Sequence, residues 1–237
     1  MAELVRARLT QRISRTPSVE SFRLSPQKKV DFLPGQFLQV IFDESNPGDK
    51  ELNKYLSFSC APGKDYIEFT KRLSASGFSE KLRELKAGDE VLIKAPMGAC
   101  VFKDSDKKIA FLIGGIGITP VISIIEYIND RKLTTDVCLV YSNRNEEEIA
   151  FKKELDGWQA TNKNVKISYL VSECEPKDKT CYFGVINADV VKERICELHS
   201  RLMFIFGPPK MVEAMKQLSL ELGLSKDNIR TEMFMGY

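Results

Sequence analysis

Three glycines within four positions, Gly114, Gly115 and Gly117, end the apolar run in "FLIGGIGITP", residues 111–120. Phosphate recognition needs such a place. Without Cβ atoms a backbone turns sharply and lets a pyrophosphate reach its N–H groups. Thr119 and Pro120 follow, and a proline suits an early helix position, where its missing N–H costs nothing. The stretch predicts a strand handing over to a helix whose N-terminus carries unpaired N–H groups and a partial positive charge. No Lys-Ser/Thr follows, as a P-loop requires, and the spacing is not G-x-G-x-x-G. A tight turn made for packing alone is the other reading.

Other chemistries have little to work with. Six cysteines stand at 60, 100, 138, 174, 181 and 196, and none forms C-x-x-C. They read as free thiols rather than metal ligands. The single histidine, His199, excludes a multi-His metal site and weakens any Ser–His–Asp arrangement. If the chain is an enzyme, a bound organic cofactor is expected to supply the reaction. The formal net charge is +2, which gives no electrostatic case for nucleic acid. Arg6, Arg8, Arg12 and Arg15 read as one solvated strand face. The start "MAELVRARL" has no apolar signal-peptide core, and glycines and Pro120 break the stretch 109–125. A cytoplasmic protein without a membrane span is expected.

The elements that position these residues change character near residue 103. Before it, short alternating segments ("LVRARLTQRIS", "VESFRLS", "GQFLQVIF", "KYLSFS", "YIEFTKRL", "EVLIKAP") are separated by "NPGDK", "APGKD" and "KAGD". This spacing predicts a six-stranded antiparallel barrel, interrupted by one short helix, "FSEKLREL", capped by Ser76 or Ser79. After "KDSDKK" strands and helices alternate: "IAFLI", "TPVISIIEYI", "DVCLVYS", "EEEIAFKKEL", "VKISYLV", "NADVVKERICEL", "LMFIF", "PPKMVEAMKQLSLEL" and "NIRTEMF". That order predicts a doubly wound parallel sheet, with ligands at the carboxyl ends of its strands. The expected division is 1–103 and 104–237.

Six segments in this order resemble the ferredoxin–NAD(P)H reductase family of flavoproteins. They are "LPGQFLQV", "KYLSFSCAP", "KRLSASGFSEKL", "IGGIGITP", "YSNRNEEEIAFKKEL" and "FGPPKMVEAM". The resemblance spans nearly the whole chain. It implies an FAD-binding barrel of residues 1–103 followed by a pyridine-nucleotide domain of residues 104–237. It also implies that hydride from NAD(P)H is taken at flavin N5 and electrons leave to a separate acceptor such as ferredoxin, flavodoxin or an oxygenase component.

On this resemblance Ser57 hydrogen-bonds flavin N5, and Lys54 takes the place of the family's arginine on the FAD phosphates. Leu56 stands where an aromatic ring is frequent, with Tyr55 beside it on the other strand face. Lys71, Arg72 and Leu73 line the flavin, while Gly77, Phe78 and Ser79 meet its pyrophosphate. The nucleotide falls to Gly114, Gly115, Gly117, Ile118, Thr119 and Pro120. Asn143, Arg144, Phe206, Gly207, Pro208 and Met211 join them; Phe206 replaces a frequent cysteine. Glu173 follows the Ser of "YLVSECEPK" near the adenosine ribose, which favours NADH over NADPH. At the end, Glu232 balances charge on the nicotinamide and Phe234 stacks on the flavin, with Tyr237 a competing ring. The resemblance leaves two other readings: an electron-transfer subunit without useful turnover outside a complex, and a silent flavin- or nucleotide-binding module.

Overall fold

The first strand shows how the amino-terminal sheet is built. In the computed structural model, which describes residues 2–234, β1 runs Glu3–Thr16 and buries Val5, Ala7 and Leu9 while Leu4, Arg6 and Arg8 point out. Alternation of this kind gives one wet face and one core face. β2 (Val19–Pro26), β3 (Phe37–Ile41), β4 (Asn53–Ser57), β5 (Ile67–Arg72) and β6 (Glu90–Met97) complete an antiparallel sheet of order β4-β3-β6-β1-β2-β5. β4 and β5 are thus the two edges, and an antiparallel bridge between Phe58 and Phe69 joins them. Closing a sheet on itself removes exposed edges. Leu9, Phe22, Leu24, Leu38, Phe58 and Phe69 fill the core.

One short helix, α1 (Gly77–Glu84), covers that core with Phe78 and Leu82. Ser76 is its cap: the side chain accepts a hydrogen bond from the Ser79 amide. The basic strand face divides on inspection. Arg6, Arg8 and Arg12 pair with Glu44, Glu90 and Glu20, but Arg15 is buried against Glu68 rather than solvated.

The carboxyl-terminal sheet is all parallel, in the order β10-β9-β8-β7-β11-β12. Its strands are β7 (Lys108–Gly114), β8 (Asp136–Asn143), β9 (Val165–Val171), β10 (Cys181–Phe183), β11 (Leu202–Gly207) and β12 (Ile229–Met233). Its helices are α2 (Ile118–Asp130), α3 (Lys152–Thr161), α4 (Ala188–Arg194) and α5 (Pro209–Glu221). β7 to β9 step outward one way, and β11 then returns to the other side of β7. This reversal beside β7 is the switch point at which open α/β sheets place ligands. Val191, Val212 and Leu224 pack on the face formed by Ala110, Leu112, Val140 and Ile205. The opposite face carries a stack of Phe111, Phe204 and Phe206.

Three elements differ from the sequence expectation. The helix expected over "NADVVKERICEL" ends at Arg194, and Glu197 at φ 55° opens a separate 3₁₀ turn. The helix expected over "EEEIAFKKEL" starts only at Lys152. Glu146–Glu148 form a single 3₁₀ turn capped by Asn145, and Phe151 adopts φ 61°. Burial of Ile149, Ala150 and Phe151 in succession outweighs helical periodicity there. The edge strand β10 has only three residues, too few for a pattern to appear.

Among the described residues, 2–102 form one compact unit together with Thr119–Tyr127; Lys103–Ile118 and 128–234 form a second. Among the described residues, no helix is long and apolar enough to cross a membrane.

Candidate active site

In the first unit, β4 and β5 bring charge together at the rim of the barrel. Lys54 pairs in register with the core residue Val40, and Leu56 with Leu38, so both lysine and leucine lie on the core-facing side of β4. Lys71 shares the core-facing side of β5 with Phe69. Lys71 is 8% exposed, and its ammonium donates to the Arg72 carbonyl at 3.1 Å. Burial, then the nearby charges of Lys54 and Arg72, push the Lys71 pKa below its ordinary value. Three cations, Lys54, Lys71 and Arg72, thus lie together at one rim. A pyrophosphate would relieve that repulsion, so these residues fit an FAD diphosphate.

The other residues expected on this side take distinct places. Arg72 donates to Ser18 Oγ at 2.6 Å, and the Leu73 amide to the Ser18 carbonyl at 2.8 Å. Phe78 is fully buried against Phe42. Ser79 is buried as well. Its hydroxyl accepts from the Ser74 amide at 3.1 Å and from Ser76 Oγ at 3.1 Å, so it braces the turn. Gly77 and Phe78 contribute first-turn amides, which lie beyond the reach of intrahelical bonds. Ser57 is buried, opposite Phe37 on the outer face of β4. Tyr55 lies on that same outer face, 57% exposed, with its ring edge-on to Phe37.

In the second unit, the carboxyl ends of the parallel strands form one row. Gly114 is in register with Ser142, Asn143 with Val171, and Gly207 with Met233. Gly114 opens a 3₁₀ turn of Gly115–Gly117 in which Gly115 has φ +51°, and α2 begins at Ile118 with Thr119 and Pro120 buried in its first turn. The packing question at Gly117 has a definite answer: a Cβ there would lie 2.3 Å from the Phe206 carbonyl oxygen. Gly114 is different, since its Cβ would only touch Met211 at 3.7 Å. Asn143 is 6% exposed, and both polar atoms of its side chain lack a hydrogen-bond partner. A buried, unsatisfied amide at the end of a central strand is costly unless a ligand meets it. With the glycine turn, it fits a dinucleotide.

Arg144 and Glu173 lie beside Asn143. The Glu173 amide donates to the Arg144 carbonyl at 2.9 Å, and their side chains are 3.7 Å apart. Pro208 caps α5 from extended backbone, and Met211 reaches back to Gly114 and Gly207. Phe206 is wholly buried in the ring stack, so its side chain belongs to the sheet core and its carbonyl to the glycine turn. Glu232 lies opposite Phe206 in register, and burial pushes its carboxyl up to about 7. The Phe234 amide donates to the Gly207 carbonyl at 2.8 Å, and its side chain is half-buried. Tyr237 lies outside the described residues.

Sequence reasoning missed a buried polar group in the first unit. Glu68, Thr70, Ser21, Ser59 and Arg15 are hydrogen-bonded together on the side of β2 and β5 away from the core. In sequence Arg15 reads as part of a solvated strand face, and no local signal marks its partners.

A rim of cations on an antiparallel barrel and a glycine turn at the switch point of a parallel sheet fit a protein that holds two phosphate-bearing ligands, such as a flavin and a dinucleotide. Residues 6–102 match the family described as Oxidoreductase FAD-binding domain, and residues 111–217 match Oxidoreductase NAD-binding domain. The chain is 29% identical over 224 residues to NADH-cytochrome b5 reductase 1 of Emericella nidulans, covering 90% of this chain and 72% of that one. It is 24% identical over 219 residues to reductase component 1 of terephthalate 1,2-dioxygenase of Comamonas sp, covering 92% and 63%. In fold it is similar to the FAD/NAD-binding domain of a nitric oxide dioxygenase of Vibrio cholerae, with TM-score 0.86, 20% identity, and 97% and 98% of the chains covered. The chain belongs to the ferredoxin–NAD(P)H reductase family and is a flavin-dependent NAD(P)H oxidoreductase.

Proposed function

We propose that this reductase uses NADH in preference to NADPH and delivers electrons to a separate redox protein of the cytochrome b5, ferredoxin or oxygenase-component kind. The observation behind the donor preference is the pairing of Glu173 with Arg144 beside the orphaned amide of Asn143. A carboxylate accepts hydrogen bonds from ribose hydroxyls and repels a 2′-phosphate, and its pairing with Arg144 occupies a cation that a 2′-phosphate would otherwise attract. The names of the relatives, a cytochrome b5 reductase and an oxygenase reductase component, support the acceptor class.

In this reading residues 1–103 hold FAD and residues 104–237 hold the nucleotide. FAD, when bound, supplies the chemistry that accepts a hydride and releases electrons singly or in pairs. The protein's part is placement. Lys54, Lys71, Arg72 and the α1 amides of Gly77 and Phe78 would neutralise the diphosphate, and Ser57 would offer a hydroxyl to the flavin. Gly114 and Gly115 admit the nucleotide to the switch point, and Asn143 gains partners from it. Glu232 would respond to charge at the nicotinamide.

Steady-state reduction of ferricyanide, cytochrome b5 and ferredoxin by the FAD-loaded protein, with each nucleotide, tests the proposal. It requires kcat/KM for NADH to exceed that for NADPH, and one protein acceptor to be reduced. A preference for NADPH overturns the donor assignment, and ferricyanide turnover without reduction of either protein overturns the acceptor class.

A further inference from the structure

The barrel closes where β4 meets β5, and the closure uses little backbone. Its parts are the Phe58–Phe69 bridge, a hydrogen bond from the Ser59 amide to the Glu68 carbonyl at 2.8 Å, and one from the Glu68 amide to Cys60 Sγ at 3.2 Å. Extending the bridge by one residue each way sets Ser59 against Glu68 and Ser57 against Thr70. Phe58 and Phe69 point into the core, so Ser57, Ser59, Glu68 and Thr70 all belong to the other face.

On that face side chains finish the closure. Arg15 Nε donates to Ser21 Oγ at 2.7 Å, and Ser21 and Thr70 hydroxyls are 2.6 Å apart. The Thr70 and Ser59 hydroxyls are 2.7 Å apart, and Ser59 donates to Glu68 Oε1 at 3.2 Å. Arg15 closes the ring onto Glu68 Oε1 at 3.0 Å, while Arg23 holds Oε2 at 2.7 Å.

Donation around this ring has one consistent direction. A guanidinium only donates and a carboxylate only accepts. Ser21 therefore gives its proton to Thr70, Thr70 gives to Ser59, and Ser59 gives to Glu68. Each hydroxyl donates once, in a chain whose members polarise one another. Glu68 is 1% exposed, and burying a carboxylate between two guanidiniums is a poor way to gain stability alone. Hydrophobic residues would close a seam as well. What a directional polar ring adds is a fixed register.

We propose that the Arg15–Ser21–Thr70–Ser59–Glu68 ring is a positioning device that holds the Ser57 hydroxyl in place for the flavin. The proposal rests on the assignment of Ser57 and Lys71 to the flavin. Those residues sit on the two strands that the ring ties together, one residue or two from its members. Thr70 is the link with the most leverage, since it stands opposite Ser57 and beside Lys71. Replacing it with valine keeps its shape and removes both of its hydrogen bonds.

The experiment compares wild type, Thr70→Val, Thr70→Ser and the core variant Leu24→Ala. FAD binding to the apoprotein is read by quenching of FAD fluorescence, and the bound flavin by its visible spectrum and reduction potential. Thermal melting of each apoprotein reports stability. Thr70→Val is expected to weaken FAD binding by about tenfold and to shift the flavin spectrum, and Thr70→Ser to restore both. Leu24→Ala is expected to lower the melting temperature more than Thr70→Val does and leave the spectrum unchanged. If Thr70→Val fails to fold, Ser59→Ala takes its place with the same expectations. Wild-type affinity and spectrum in the ring variant would overturn the proposal, as would an equal loss in Leu24→Ala. Failure of the wild-type apoprotein to take up FAD would overturn the flavin assignment itself, and the proposal with it.

Discussion

Arg144 and Glu173 oppose each other at 3.7 Å on adjoining loops, each exposed, with the Glu173 amide anchored on the Arg144 carbonyl. An exposed pair of this kind adds little stability, so its consequence is at the ligand. In the proposed reading Glu173 neutralises a cation that a phosphorylated ribose would seek. Glu173→Gln is expected to raise affinity for NADPH while affinity for NADH falls slightly. Adding Arg144→Gln to that variant should cancel the NADPH gain. Calorimetric titration with both nucleotides measures the change, about three- to tenfold if about 0.7 to 1.4 kcal/mol of charge interaction is released. An NADPH affinity that stays put in Glu173→Gln removes the pair as the cause of selectivity.

Glu232 carries a pH signature. Burial raises its carboxyl from 4.5 to about 7, so between these values the folded chain holds a proton that the unfolded chain has lost. The folded state binds more protons there, and stability falls as pH rises through that window. It is highest below the lower value and lowest above the upper one. The full span of about 2.5 pH units is worth roughly 3 kcal/mol, at about 1.4 kcal/mol per unit. Denaturant midpoints across this range should show the slope in wild type and lose it in Glu232→Gln. A slope that persists in the variant belongs to another group.

The switch point, the six barrel strands and the cap of α1 were legible because each rests on a local signal: glycine spacing, alternation, or a serine before a helix. Gly117 was legible as a glycine but not for its reason, since its neighbour Phe206 is far away in sequence. Phe206, aligned with a family cysteine, reads in sequence as a neighbour of the nicotinamide; what sequence does not show is that its ring stacks in the core with Phe204, itself stacked on Phe111. Arg15 and Glu68 were invisible as partners because 53 positions separate them, and a charged residue in an alternating strand reads as solvated.

The two ends of the glycine turn should respond differently to alanine. At Gly117 the new Cβ meets backbone, the Phe206 carbonyl at 2.3 Å, which has no side chain to swing aside. At Gly114 it meets only the flexible end of Met211 at 3.7 Å. Gly117→Ala is expected to cost about 1–3 kcal/mol of stability and displace the turn. Gly114→Ala should change stability by less than about 0.5 kcal/mol. Melting temperatures measured side by side decide the matter, and equal losses at the two positions would contradict the packing account.

The cation rim makes a prediction of opposite signs. Lys71 is buried with Lys54 and Arg72 close enough to push its pKa down, so the folded apoprotein holds charges that repel one another. A site that binds a diphosphate accepts that repulsion in exchange for the ligand; a purely structural arrangement would gain nothing from it. Lys54→Met should therefore stabilise the apoprotein slightly and weaken FAD binding by about tenfold, because one charge-assisted contact is lost while the repulsion on Lys71 is relieved. Lys54→Arg keeps the charge and adds a planar fork that matches phosphate oxygens, so it should bind FAD more tightly by about 1 kcal/mol. The apoprotein melting temperature and the FAD dissociation constant, measured on the same three samples, separate the cases. If Lys54→Met loses both stability and affinity, Lys54 is a structural cation and the phosphate assignment fails. If it gains stability and loses affinity, and Lys54→Arg gains affinity, the rim is a ligand site held ready against its own repulsion.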